Sequence, residues 1–129
     1  MANLKEIGIV LLATGMVDLQ NGDPKTTIYT VPPGKKAIVT HVVIKEPTAS
    51  LAGGTDFNLG DGAGADTWKE TINLAAMTGT DDYIVIDSNN AILGAVFDAG
   101  DAFGIISETG ATLDAQAEMD VFGYEYDAS

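Results

Sequence analysis

Apolar residues along this chain fall in short runs of strand length, broken by Gly, Pro, Asn and Asp, and no stretch keeps a helical period beyond a turn or two. The pattern predicts strands over residues 6–12, 26–31, 36–46, 56–59, 82–87, 91–97, 102–108 and 113–126. About eight strands of this length suit an all-β, antiparallel two-sheet sandwich of jelly-roll type. Residues 1–129 read as one such domain, with 1–15 as either an N-terminal arm or an edge strand. Between 49 and 80 the signal fades. ASLAGGTDFNLGDGAGADTWKETINLAAMTGT is dense in Gly and Ala, and beyond its one short strand it suggests only a turn of helix at 68–74. A segment this long in a small sandwich is expected to be a functional or interface loop.

Turn residues support these divisions. Asn21, Gly22, Asp23 and Pro24 form a stop; Asp98, Ala99, Gly100 and Asp101 link two runs closely enough for a hairpin; Glu108, Thr109 and Gly110 precede the last strand. In the stretch TTIYTVPPGKKAIVTHVVI, Pro33 presets φ for the second position of a turn and Gly34 accepts the positive φ of a type II third position.

Side chains alternate across a strand, so Ile38, Thr40, Val42 and Ile44 should share one face and Ala37, Val39, His41 and Val43 the other. Both sets are mostly apolar, and a covering loop or subunit is expected over the outward one. In the last predicted strand Leu113, Ala115, Ala117, Met119 and Val121 oppose Asp114, Gln116, Glu118 and Asp120. Phe122, Tyr124 and Tyr126 then continue the acidic side. Either a bulge near Gly123 resets the register or an aromatic patch lies there. Val39, His41, Val43, Phe122, Tyr124 and Tyr126 are the candidate contact residues.

Composition narrows the function classes. Nineteen acidic residues against six basic ones, all Lys, give a formal charge of -13. A field of that sign repels phosphate backbones and argues against nucleic-acid binding. The absence of Cys removes disulfides, thiolate nucleophiles and thiolate metal sites. The opening MANLKEIGIVLLATGMV is apolar after one Lys, but Glu6 abuts the run and no small-x-small cleavage pattern precedes Val17, so a first strand is expected rather than a secretory signal. No apolar run reaches the ~18 residues of a membrane helix.

Candidate chemistry is sparse. His41, the single histidine, has mid-strand apolar neighbours, which predict a packed side chain rather than a catalytic base. Asp56, Asn58 and Asp61 are the candidate calcium ligands, since a hard cation takes several oxygens from one tight turn. The EF-hand pattern, however, would reverse Gly60 and Asp61 and close on a Glu. Asp114, Glu118 and Asp120 could supply paired carboxylates for glycoside hydrolysis, with a solvated strand face as the plainer alternative. Trp68, with Tyr29 and Tyr83, could form a sugar-stacking platform, or these aromatics could belong to a core or interface. GDGAGAD lacks the Lys and the strand-to-helix setting of a phosphate loop. No cofactor is expected, and calcium is the one candidate metal.

Two stretches, IYTVPPGKKAIVTHVVI and GDAFGIISETGATLDAQAEMDVFGYEY, resemble small β-sandwich structural proteins of tailed bacteriophages. The resemblance implies a non-enzymatic virion component: a head decoration (cement) protein on the outer capsid, self-associating as a trimer and bound to the major capsid protein. A head-tail or fibre-associated protein is the near alternative. The resemblance supplies no catalytic residues and does not extend to 49–80. The competing class is a carbohydrate-binding or adhesin-type module using Trp68 and the long loop.

Overall fold

The structure, a computed structural model, describes residues 8–87 and 96–128. Nine strands run β1 (Val10–Asp18), β2 (Thr26–Thr30), β3 (Lys35–Lys45), β4 (Asp56–Gly60), β5 (Lys69–Ile72), β6 (Tyr83–Asp87), β7 (Phe97–Asp98), β8 (Ala102–Thr109) and β9 (Gln116–Asp127). They form two antiparallel sheets, β1-β9-β3-β6 with β7 also on β3, and β2-β8-β4-β5. With the two-residue β7 set aside, the pairings β1·β9, β2·β8, β3·β6 and β4·β5 nest inside one another. This is a long hairpin folded over on itself, the topology of a jelly roll, as the strand pattern predicts.

The turns act differently from simple hairpins. Lys35 N donates to Pro32 O across Pro33 and Gly34, whose φ is 76°, so the type II geometry holds. It nevertheless carries the chain from β2 in one sheet to β3 in the other. Similarly, Asp98–Asp101 joins β7, on β3, to β8 in the opposite sheet, where a hairpin is expected from sequence. Short rigid turns are what a small sandwich needs at its corners, because strands that switch sheets cannot pair with each other.

One core lies between the sheets. Val17, Leu19, Val39, Val42 and Ile44 from one side meet Phe57, Leu59, Phe103 and Ile105 from the other, with Met119 and Val121 on β9. Each such side chain removed from water contributes roughly 1.5–3 kcal/mol. The 49–80 segment belongs to this core rather than to a surface loop. Leu51, Trp68, Leu74 and Met77 are buried, and Leu51 N donates to Met77 O while Leu74 N donates to Gly54 O. The turn of helix expected at 68–74 is instead β5. Its four residues lack an alternating pattern, and Thr71 sits at a φ of 57°, a left-handed conformation unusual for a β-branched residue. β1 begins and ends later than the predicted 6–12, of which 6 and 7 lie outside the described residues. Of the predicted 91–97 strand, 91–95 lie outside them as well, and Phe97 opens β7.

Candidate functional site

A bulge decides which side chains β3 turns outward. Its register with β9 passes from Val39 opposite Gly123 to His41 opposite Phe122, leaving Thr40 as the extra residue. The phase of the strand flips there. Ala37 and Val39 point into the core before the bulge, Val42 and Ile44 after it, so His41 and Val43 face out while Val39, 2% exposed, does not. Each face expected from strict alternation is therefore split in half. On β9 the alternation runs through Gly123 without a reset: Ala117, Met119 and Val121 are buried, and Phe122, Tyr124 and Tyr126 lie half-exposed on the other side. The aromatic-patch alternative is the correct one. Gly123 is required at this point because a Cβ there would overlap the Ile38 carbonyl oxygen.

Cross-strand register assembles the outer face of the β1-β9-β3-β6 sheet in rows. Leu11, Phe122, His41 and Asp87 form one; Thr14, Asp120, Val43 and Val85 the next; Met16, Glu118, Lys45 and Tyr83 a third. Ile38 and Tyr124 extend the surface beyond the bulge. Leu11, Met16, Val85 and Tyr83 are exposed, the last at 70%. His41 and Phe122 stack with ring centroids 4.6 Å apart and planes 4° from parallel. Thr40 Oγ1 donates to Phe122 O at 3.2 Å and lies 3.0 Å from His41 Nδ1. With the hydroxyl proton on that carbonyl, the Nδ1–H of His41 donates to Thr40. This imidazole is held by a ring and a hydroxyl, and among the described residues no carboxylate orients it as a base.

A polar network crosses the middle of the apolar surface. Asp120, largely buried, accepts from Thr14 Oγ1 and from Lys45 Nζ at 3.1 Å, and Glu118 accepts from the same Nζ at 3.0 Å. Hydrogen bonds to Glu118 and Asp120 hold the Lys45 ammonium above its ordinary pKa. Glu118 and Asp120 thus share one lysine, while Asp114, exposed before the strand, accepts from Gln116. The three do not converge on a cleft as a hydrolytic pair requires.

The other candidates separate. Trp68 is 1% exposed; its indole N–H donates to Val39 O at 3.1 Å, and its ring meets Phe103 edge-on. It cannot stack on a sugar from there. Tyr29 is also buried, its hydroxyl donating to Glu125 at 2.6 Å, and burial followed by that bond raises its pKa. Both ends of the Asn58 amide are engaged, its Nδ2 donating to Glu108 and its Oδ1 accepting from Thr71 N. Asp61 bonds Thr67 at the turn, and Asp56 has a buried Oδ1 without a hydrogen-bond partner among the described residues. Among those residues, no cluster of three His, Cys, Asp or Glu side chains could hold a metal.

Sequence reasoning missed Leu11, Met16 and Val85 as surface residues and assigned Tyr83 to a platform. The signal for β6 was present, since Tyr83, Val85 and Asp87 alternate with Ile84 and Ile86. For β1 it was hidden, because Thr14 and Gly15 interrupt an apolar run that the chain nevertheless keeps extended.

No family model matches the chain, and no curated protein matches it in sequence. Among solved structures it is similar in fold to a chain of the cyanophage Pam1 capsid asymmetric unit, with a TM-score of 0.55 and 20% identity over 94% of this chain and 85% of that one.

Proposed function

We infer that this protein is a non-enzymatic structural component of a phage virion, specifically a head decoration (cement) protein that docks on the outer capsid surface as an oligomer. The observation that carries the reading is the outer face of the β1-β9-β3-β6 sheet, where exposed Leu11, Met16, Tyr83 and Val85 and the aromatic run of β9 stand together on one side. Exposed apolar and aromatic side chains gathered on one face, here around an internally paired polar network, are the mark of a protein contact. The fold likeness to a capsid chain agrees with this reading, and the charge of -13 turns the protein away from the genome side of a shell.

The contact residues assigned are His41, Val43, Phe122, Tyr124 and Tyr126, with Leu11, Met16, Tyr83 and Val85 added. Val39 and Trp68 lie in the core, which leaves the carbohydrate-binding alternative without its platform. The test is sedimentation of the protein with shells of its major capsid protein, with and without EDTA or calcium. Docking that is indifferent to metal and lost in the Tyr124→Ser, Tyr126→Ser double variant supports the reading. Unchanged docking of that variant would sink this choice of surface, and loss of docking in EDTA would instead show that a divalent cation takes part in docking.

A further inference from the structure

We propose that β1 is a self-association edge, across which a second copy of this chain adds its own β1 antiparallel and about a two-fold axis. A strand at a sheet edge presents unpaired N–H and C=O groups that template another strand, and proteins usually blunt such edges with charge, Pro or brevity. The four edges of this sandwich differ in how far they are blunted. β6 is five residues long, ends in Asp87 and is preceded by Asp81 and Asp82. β5 has four residues, among them Lys69 and Glu70. β2 has five, carries a register shift between Thr27 and Tyr29, and lies between Pro24 and Pro32.

β1 has little of this protection along most of its length, although β2 lies against it and at its C-terminal end Thr26 Oγ1 accepts from Asp18 N. It is nine residues long, and among the described residues its ladder partner is β9 alone. From Ile7 to Val17 the chain has no charged residue and no Pro. Its register shift falls near the start, between Leu11 and Ala13, leaving the rest of the strand regular.

Charge selects the occupant. A chain carrying -13 opposes contact with its own copy almost everywhere. β1 is the edge where two copies approach without bringing carboxylates together, since its one acid, Asp18, lies at its end. A two-fold axis through the middle of the strand sets the two Asp18 residues at opposite ends, roughly 26 Å apart at ~3.3 Å per residue, beyond a screening length of ~8 Å. The pairing is isologous and yields a dimer, where the resemblance to decoration proteins implies a trimer. It joins two copies of the β1-β9-β3-β6 sheet into one continuous sheet. The inference concerns assembly, and it stands or falls separately from docking on a shell.

Light scattering coupled to size exclusion, run at about 100 µM and again after tenfold dilution, reads the assembly directly. Expected are a dimer that strengthens as salt screens the acidic field, its loss in the Leu11→Lys, Met16→Lys double variant, and its retention in Val85→Lys on the far edge of the same face. Hydrogen exchange on the unmodified protein gives a second measurement, with β1 amides more protected at high concentration than at low. A trimer, a monomer throughout, a dimer that Val85→Lys also destroys, or β1 protection independent of concentration would each overturn the proposal. Loss of shell docking in Val85→Lys with the dimer intact would separate the two surfaces.

Discussion

The two sheets are built alike inside and differently outside. On β2-β8-β4-β5 the outward positions are Thr27, Thr30, Asn58 and Glu108, with glycines at 60 and 104 and one half-buried Ile106. On β1-β9-β3-β6 the equivalent positions hold Leu11, Met16, Ile38, His41, Val43, Tyr83, Val85, Phe122 and Tyr124, around the paired polar group of Thr14, Asp120, Glu118 and Lys45, with Asp87 at the edge. Inside, both sheets turn the phase of a strand with a bulge set against a glycine: the register shift in β3 opposite Gly123, and that in β2 opposite Gly104. A sandwich needs apolar residues only on its inner faces to fold. Apolar residues on the outer face are therefore not required by the sandwich itself, and the difference between the sheets sets the part of the sequence that makes the fold apart from the part proposed to make contacts.

The shared feature gives the largest expected effect. A Cβ at Gly123 would overlap Ile38 O, and one at Gly104 would overlap Thr26 O. Gly123→Ala and Gly104→Ala should each cost about 3 kcal/mol in urea unfolding, since neither strand can move away without breaking its ladder. A cost near zero for one of them would break the parallel between the sheets.

The faces should then part in docking. Tyr83→Lys with Val85→Lys should weaken sedimentation with capsid shells about a hundredfold, roughly 2.7 kcal/mol, whereas Thr27→Lys with Thr30→Lys should leave it within about threefold. Equal losses from both pairs would remove the distinction. Within folded-state stability, Asp120→Asn should cost about 1.5 kcal/mol, because a largely buried carboxylate loses its charge-assisted bonds to Lys45 and Thr14. Glu108→Gln on the opposite sheet, where the residue is exposed and bonded only to Asn58, should cost less than about 0.5 kcal/mol.

The smallest effect is alkaline. Lys45 and Lys35 are raised by hydrogen bonds to their carboxylate partners and Tyr29 by burial, so the folded state retains protons that the unfolded chain gives up. Their contribution is complete below the unfolded values of about 10 and declines as pH rises from there through the folded values. Thermal midpoints measured from pH 9 to 11.5 should fall, and Tyr29→Phe should make the fall shallower. An unchanged slope in that variant would assign the effect to the lysines alone.

Much of the architecture was legible because strand-length runs and turn residues are local signals. The 113–126 alternation and the Pro33–Gly34 turn give β9 and the β2–β3 corner nearly as they stand. What escaped was set by pairing. Nothing at Thr40 announces a bulge; the close approach of Gly123 on the neighbouring strand imposes it, and that single shift moved Val39 inward and Val42 with it. Trp68 misled for a related reason: in a Gly-rich segment it resembles an exposed platform, yet its N–H finds Val39 O across the core. Half of the surface was visible in Phe122, Tyr124 and Tyr126. The other half needed β1 and β6 to be placed beside them.

Oxidative footprinting of Met16, Tyr83, Tyr124 and Tyr126, in the free protein and on capsid shells, reads the outer face of the β1-β9-β3-β6 sheet as a docking surface. All four should lose reactivity on docking while Met77, buried in the free protein, stays unreactive. Met16 and Tyr83 remaining fully reactive on the shell would contradict it.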